Sequence, residues 1–322
     1  MICPVGALTS RTYRFRARPW DNASTESVCT LCPVGCNLTL DARDGKIVRV
    51  RSRENREVND IWLCDKGWYG YEFSHDSGRL REPLIRRNGK LEPASWGEAF
   101  EFVTAHMRAA KPKGKLAAFG GDPLTCEENY LLQRLMRQGA GVDHLDHRVG
   151  MPLFTPEEEA IPPGMETTIG ECEELSFAVL LGLDLTEEFP VIWLRLRQAV
   201  NKGAKLLYFG HFSPEIAPYC SQIFLHPPGE EIRALKQHLA QVNALLEHGK
   251  KRALFVGRQY LANPQRRAIL AELWQLKQAT PHLALHIMEG RGNSMGARLA
   301  GMHPHYGVWG ERLETPGWDA SQ

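Results

Sequence analysis

Polar and apolar residues alternate along two short segments near the amino terminus. The alternation covers residues 37–42 and 46–51, and Arg43-Asp44-Gly45 lies between them. Asp-Gly between two alternating segments is a strong signal for a β-hairpin, because both residues tolerate the positive φ that a tight turn requires. The pattern therefore predicts a small β-rich domain, to which we assign residues 26–82.

From about residue 95 the spacing of apolar residues changes, and strands alternate with helices. Capping boxes, in which Ser or Thr is followed three residues later by Glu, predict helices that begin after Ser95 and Thr125. Short apolar segments predict strands at 116–119, 175–181, 204–209, 252–256 and 283–287, and helical spacing predicts helices at 190–200, 232–246 and 264–276. This alternation is typical of parallel sheets covered on both faces. The predicted fold class is α/β, with the small β-rich domain followed by parallel-sheet α/β lobes.

A proline-rich segment at residues 150–173 interrupts the α/β region. We predict a first part of one lobe at 83–150, a second lobe at 151–249, and a return to the first lobe at 250–322. Residues 1–25 are irregular and basic, and they form a separate amino-terminal segment.

Composition and charge narrow the possible functions. The chain has 322 residues, of which 43% are apolar and 24% charged, and its net charge of +1 does not indicate nucleic-acid binding. It contains no run of 18 apolar residues, so no membrane-spanning helix is predicted. The first residues do not resemble a signal peptide, and we expect a cytoplasmic location. Eight cysteines in that compartment favour metal binding over disulfides, because cytosolic thiols are kept reduced.

Half of the cysteines follow the spacing Cys29-x2-Cys32-x3-Cys36-x27-Cys64. Four thiolates match a [4Fe–4S] cluster, which takes one ligand for each iron. Three come from a tight loop with a proline and a glycine, and the predicted hairpin can bring the fourth to that loop. The spacing predicts one [4Fe–4S] cluster, although structural zinc is an alternative that more often uses two Cys-x2-4-Cys pairs. Four unrelated buried cysteines are a further alternative.

The remaining cysteines are of two kinds. Cys126, Cys172 and Cys220 are isolated in the α/β region, and we predict that they are free buried thiols. Cys3 is followed by Pro4, as is the last cysteine of the ferredoxin pattern Cys-x2-Cys-x2-Cys-x3-Cys-Pro. That cysteine can serve a cluster whose other ligands lie elsewhere, but no Cys-x2-Cys precedes it here.

Several of these motifs resemble the large iron–sulfur subunit of bacterial NADH:quinone oxidoreductase, respiratory complex I. Residues 1–20 are similar to the end of its ferredoxin-like region. Residues 27–55 resemble the part that bears an additional tetranuclear cluster, and 62–67 (Trp-Leu-Cys-Asp-Lys-Gly) the segment with the fourth ligand. Residues 129–137 and 175–210 resemble the molybdopterin-oxidoreductase-like body of that family.

The resemblance implies an electron-transfer and scaffold subunit in the peripheral arm of NADH:quinone dehydrogenase, at the cytoplasmic side of the membrane. Its partners would be the other subunits of that arm, including the NADH-binding flavoprotein subunit, and no catalysis is expected from this chain alone. The resemblance assigns one [4Fe–4S] cluster to Cys29, Cys32, Cys36 and Cys64. It implies Cys3 as a ligand of a second cluster whose other ligands lie upstream. The family's α/β body also extends further, so we expect a fragment or one half of a split subunit.

Molybdenum and tungsten oxidoreductases such as formate dehydrogenases share this plan, and a catalytic subunit fragment of such an enzyme is the alternative. Lys66 fits their Cys-x-Lys-Gly pattern, in which the lysine lies between cluster and pterin, but a lysine here also offsets the charge of a thiolate-bound cluster. Catalytic relatives place Cys, selenocysteine or Ser shortly after a motif resembling residues 142–144. Residues 145–151 contain none of these. We predict that His147 is a loop or core histidine rather than a ligand.

Nicotinamide binding is not favoured by the glycine spacing. In the segment 290–296 (Gly-Arg-Gly-Asn-Ser-Met-Gly) the third glycine lies one residue late for the G-x-G-x-x-G pattern. We predict that this segment is a turn beside the parallel sheet.

Overall fold

The computed structural model of the chain describes residues 3, 5, 7–148, 164–246, 251–288 and 291–320. The predicted α/β fold class, with a small β-rich amino-terminal domain, is confirmed. The prolines of the segment 150–173 lie outside the described residues.

The amino-terminal domain is built on a three-stranded antiparallel sheet. Its strands are β1 (Ala23–Val28), β2 (Asn37–Arg43) and β3 (Lys46–Ser52), in the order β1-β2-β3. The predicted hairpin is β2-β3, and its turn places Asp44 and Gly45 at φ 50° and 72°. Two consecutive positive φ angles match the right-handed twist of the flanking strands. The strand β1, which had no clear alternation, was not predicted.

A buried carboxylate joins these three strands. Asp41 on β2 is fully buried and accepts hydrogen bonds from Ser24 on β1 at 2.7 Å and from Arg49 and Arg51 on β3 at 2.8 and 2.9 Å. Each oxygen therefore has a charged or hydroxyl donor, which compensates the cost of removing the carboxylate from water.

We expect stability to depend on the charge of Asp41 in acid. Burial raises the pKa of Asp41, but the hydrogen bonds from Arg51, Ser24 and Arg49 outweigh burial, so its pKa is lowered. The stabilisation is therefore present above the unfolded-state pKa and is lost as pH falls through the lower folded-state pKa. Asp41→Asn should lower the free energy of unfolding by about 1–3 kcal/mol near pH 7 and flatten its decline in acid. Urea unfolding between about pH 7 and about pH 3 measures both effects, and identical pH profiles for the two proteins would contradict the expectation.

Short elements connect this sheet to the α/β region. The helix α1 (Asp65–Tyr69) follows Cys64 directly, and a second hairpin is formed by β4 (Leu84–Arg87) and β5 (Lys90–Pro93). That hairpin was not predicted.

The first α/β lobe contains a pair of short parallel strands, β6 (Ala118–Phe119) and β7 (Leu145–Asp146). Its helices are α2 (Trp96–Ala110) and α3 (Cys126–Arg134), and a π-helical turn at Leu135–Ala140 extends α3. Both predicted capping boxes are confirmed at the starts of α2 and α3, whereas β6 is two residues shorter than the strand predicted at 116–119.

The second lobe is a five-stranded parallel sheet in the order β10-β9-β8-β11-β12. The strands are β8 (Phe177–Leu181), β9 (Lys205–Gly210), β10 (Gln222–Leu225), β11 (Arg252–Val256) and β12 (Leu283–Ile287). Since β11 pairs with β8, the predicted boundary at 249/250 falls inside this sheet and does not separate two sheets.

Helices connect successive strands of this sheet along the chain. They are α4 (Leu185–Glu188), α5 (Pro190–Asn201), α6 (Glu231–Leu246), α7 (Arg258–Leu261) and α8 (Arg266–Ala279). Residues of α6 and α8 pack against one face. The opposite face packs against α5 and against the amino-terminal domain, so that Cys29, Val34 and Cys36 share one core with Leu180 and Tyr208 of the sheet. The β domain is therefore anchored on the sheet through its cysteine loop.

The chain returns to the first lobe after β12. The helix α9 (Ser294–Leu299) contributes Ala297 to a core that also contains Met136, Leu145 and Met302. None of the helices in the described residues is long and apolar enough to cross a membrane.

Candidate metal centre

The four predicted cysteines line one cavity of about 350 Å³. Cys29 and Cys36 are buried, and Cys32 and Cys64 are partly buried. The structure thus brings together side chains that are up to 35 residues apart in the sequence (29 to 64), as the spacing predicted. A cavity of this size accommodates a group much larger than one metal ion.

Three of the thiols lie on the loop between β1 and β2. Cys29 directly follows β1 and Cys36 directly precedes β2, and the N–H of Cys29 donates to the carbonyl of Cys36 at 2.8 Å. Within the loop the N–H of Gly35 donates to the carbonyl of Cys32 at 3.4 Å. Gly35 has a φ of 64°, a conformation that glycine adopts without strain. The paired strands therefore fix both ends of a tight loop.

The fourth thiol is held next to this loop by a buried amide. Asn59 is fully buried, and its Oδ1 accepts the N–H of Asn37 at 2.8 Å while its Nδ2 donates to the carbonyl of Trp62 at 2.9 Å. Asn37 adjoins Cys36, and Trp62 lies two residues before Cys64. Asn59 thereby connects the two segments that carry the cysteines.

The thiols would repel one another if they ionised without a cation between them. Burial raises the pKa of Cys29, raises that of Cys32 to about 11 and raises that of Cys36 further, and neighbouring cysteines add to each increase. Metal ligation requires the thiolate form, which a bound polyvalent cation stabilises. Four converging, partly desolvated thiols in a cavity of this size fit a [4Fe–4S] cluster.

Charged side chains surround the cysteines. Lys66, Arg258 and Arg291 line the cavity together with Glu187 and Glu188. The Nζ of Lys66 donates to the carbonyl of Glu187 at 2.7 Å and to its Oε2 at 3.0 Å. Lys66 also lowers the pKa of Cys32, against the larger opposing effect of burial, so this cation lies close enough to stabilise a thiolate. Sequence reasoning had identified only Lys66 of these five.

The cavity lies at the carboxyl end of the parallel sheet. Glu187 is on α4, which follows β8, and Arg258 begins α7, which follows β11. From the neighbouring strands β8 and β11 the chain proceeds towards opposite edges of the sheet. Ligands of open α/β sheets characteristically bind at such a topological switch point.

The other cysteines lie elsewhere. Cys172 is buried and Cys220 partly buried, and burial raises their pKa to about 12 and about 11. The prediction of a buried thiol is thus confirmed for Cys172, whereas Cys126 is exposed because it occupies the first turn of α3 at the surface. Cys3 is partly buried and is not among the described residues that line the cavity.

Two further predictions concern residues outside the centre. His147 is buried, and its Nδ1 lies 2.6 Å from the carbonyl oxygen of Met302, so the prediction of a loop or core histidine is confirmed. The described part of the glycine segment, from Arg291, forms the turn between β12 and α9, as predicted. A Cβ at Gly292 would lie 2.8 Å from the carbonyl oxygen of Asp122, so close backbone packing accounts for this glycine.

Comparison with known proteins identifies matches along almost the whole chain. A family model described as "Molybdopterin oxidoreductase" matches residues 79–310, and one described as "Molybdopterin oxidoreductase Fe4S4 domain" matches residues 23–76. NADH-quinone oxidoreductase subunit 3 of Thermus thermophilus is 31% identical over 98% of this chain and 43% of its own length. An NADH-quinone oxidoreductase subunit of Streptomyces coelicolor is 34% identical over 64% of this chain and 27% of its own length. The chain therefore spans less than half the length of either relative.

A solved structure supports the fold. Acetylene hydratase from Pelobacter acetylenicus superposes with a TM-score of 0.56 at 15% sequence identity, over 86% of this chain and 42% of its own. At this identity the likeness concerns the fold alone.

Proposed function

The chain belongs to the molybdopterin oxidoreductase family, and we propose that it is an electron-transfer and scaffold part of an NADH-quinone oxidoreductase. In this proposal Cys29, Cys32, Cys36 and Cys64 bind one [4Fe–4S] cluster. The observation that carries the proposal is the convergence of these thiols on one cavity, in a chain similar to subunits of that enzyme. When bound, the cluster supplies one-electron transfer.

The residues around the proposed cluster exclude water from it and compensate the charge of its thiolate ligands. The sheet and α5 bury one side of the cysteine loop, which excludes water from part of the site. Lys66, Arg258 and Arg291 offset the negative charge of four thiolates, and Lys66 is kept in place by Glu187. Burial and local charge are the means by which a protein sets a cluster's reduction potential.

The proposed partners are the other subunits of the peripheral arm, including the NADH-binding flavoprotein subunit, at the cytoplasmic side of the membrane. The surface of the first lobe supports a scaffold role, because Trp96, Phe100 and Val103 on α2 and Phe119 on β6 are each more than half exposed. Trp96 and Phe100 are in ring contact with centroids 5.7 Å apart, and exposed apolar groups of this kind often mark protein contacts. We further propose that Cys3 completes a second [4Fe–4S] cluster together with ligands outside this chain.

The proposed electron-transfer function is tested by determining which electron donors reduce the cluster. Anaerobically reconstituted chain is mixed with NADH, with and without the NADH-binding flavoprotein subunit, and cluster reduction is followed by electron paramagnetic resonance. We expect reduction by NADH only when the flavoprotein subunit is present, and reduction by dithionite in both samples. Formate is the control substrate, and it should reduce neither sample.

Two outcomes would contradict the proposal. Reduction by formate, together with molybdenum bound to the purified chain, would favour a catalytic subunit fragment of a molybdopterin enzyme. Reduction by NADH without the flavoprotein subunit would place nicotinamide chemistry on this chain.

Lys66 should raise the reduction potential of the cluster. Lys66→Gln removes a cation near the thiolates and leaves the Glu187 carboxylate without its partner, and both changes disfavour the added electron. We expect a lower potential by an amount on the order of tens of millivolts, because the lysine is half exposed and solvent screens its charge. Lys66→Arg keeps the charge and is the matched control. A potentiometric titration with equal values for wild type and Lys66→Gln would contradict this expectation.

A further inference from the structure

Two histidines and a glutamate meet at the carboxyl end of the parallel sheet, apart from the cysteine cavity. His211 directly follows β9, His226 directly follows β10, and Glu231 begins α6. One ligand atom from each residue lies within 4.8 Å of the others. None of the three is among the described residues that line the cysteine cavity.

The glutamate of this group has a coordinating atom that its contacts leave unused. The Nε2 of His211 lies 2.7 Å from Oε1 of Glu231. Glu231 is only 1% exposed, yet its Oε2 has no hydrogen-bond partner in the described part of the chain. A buried carboxylate oxygen without a partner is costly, and such an atom in a native structure is often explained by an ion.

The second histidine has the support expected of a metal ligand. The Nε2 of His226 lies 2.8 Å from the hydroxyl of the fully buried Tyr260, and this contact fixes the orientation of the imidazole ring. The other ring nitrogen, Nδ1, lies 3.1 Å from the carbonyl oxygen of Pro227, a contact that a bound metal would replace. Ligating histidines commonly use one ring nitrogen for the metal and the other for an outer partner such as Tyr260. The rings of His211 and His226 stand perpendicular with centroids 5.2 Å apart.

We propose that His211, His226 and Glu231 form a binding site for one divalent transition-metal ion of the zinc class. Imidazole is a borderline donor and carboxylate a harder one, and zinc accepts both, so that a His2Glu set leaves a fourth position for water. The separation of up to 4.8 Å is wider than in a bound site, so the side chains must move closer to share one ion. His211, at 21% exposed, is the least buried of the three. This site does not depend on the electron-transfer proposal.

Zinc and cobalt titrations of the cluster-loaded chain test the proposal, because the loaded cluster occupies the four cysteine ligands. We expect one zinc per chain by calorimetry, and affinity at least about tenfold weaker in His211→Ala and in Glu231→Gln. His282→Asn, at an exposed position in the same lobe, is the matched control and should bind zinc as wild type does. Cobalt should give ligand-field bands of nitrogen and oxygen coordination without thiolate charge-transfer bands.

Three results would overturn the site: no zinc binding to the wild type, equal affinity in His211→Ala, or thiolate bands with cobalt. Since the His211 side chain is partly exposed, His211→Ala should fold, and circular dichroism checks this. If Glu231→Gln does not fold, His211→Ala alone decides the question.

Discussion

Cys32→Ala is expected to abolish the [4Fe–4S] cluster or convert it to a smaller one. Wild-type chain reconstituted without oxygen should contain about four irons and four sulfides, because each iron takes one of the four thiolates. In the variant one iron lacks its protein ligand, while the remaining thiols stay on the same cavity. Iron and sulfide analysis and electron paramagnetic resonance of the reduced protein measure the change.

A cysteine outside the cavity gives the matched control. Cys220 is partly buried near β10 and is not among the described residues that line the cavity, so Cys220→Ala should keep the full iron content. Stoichiometric zinc without iron in anaerobically purified wild type would falsify the cluster assignment and favour the four-cysteine zinc site. Equal iron loss in both variants would mean that Cys32 has no special role.

The sequence predicted those parts of the fold and of the centre that are determined by residues close to one another in the chain. The Cys29 to Cys36 spacing allows three thiols on one loop, and Asp44-Gly45 between two alternating segments is a strong signal for a tight turn. Residues 253–256 of β11 form a continuous apolar segment because both faces of a parallel sheet are buried. In each case the information lies within a few neighbouring residues.

The charged part of the centre depends on strand order, which local sequence does not contain. Glu187 and Arg258 reach the same cavity because β8 and β11 are neighbours, although β9 and β10 come between them in the chain. The predicted boundary at 249/250 missed this pairing because a strand's apolar pattern does not identify its partner. Arg258 could have been suspected, since it follows a strand and Gly257, where ligands of α/β sheets often bind.

Asn59→Leu should destabilise the amino-terminal domain more than any surface substitution and should also lower its cluster content. The leucine has nearly the same size but removes the amide from the N–H of Asn37 and from the carbonyls of Asn37, Arg53 and Trp62. The Asn37 carbonyl keeps the N–H of Arg53 at 3.1 Å and the Trp62 carbonyl keeps the hydroxyl of Ser52 at 3.2 Å, so the other two groups bear most of the loss. Each buried polar group without a partner costs about 1–3 kcal/mol. Part of this loss is relieved by relaxation and water, so we expect a decrease of about 2–4 kcal/mol in the free energy of unfolding.

Denaturant unfolding of the reconstituted protein measures the loss of stability, and iron analysis measures whether the cluster is lost as well. Asn201→Ala is the matched control, because Asn201 is exposed at the end of α5 and its loss should change stability by less than about 0.5 kcal/mol. If Asn59→Leu were destabilised but kept full iron content, Asn59 would be a structural amide without a role at the centre. Loss of iron under conditions where the variant remains folded is the result expected of a residue that positions Cys36 against Cys64.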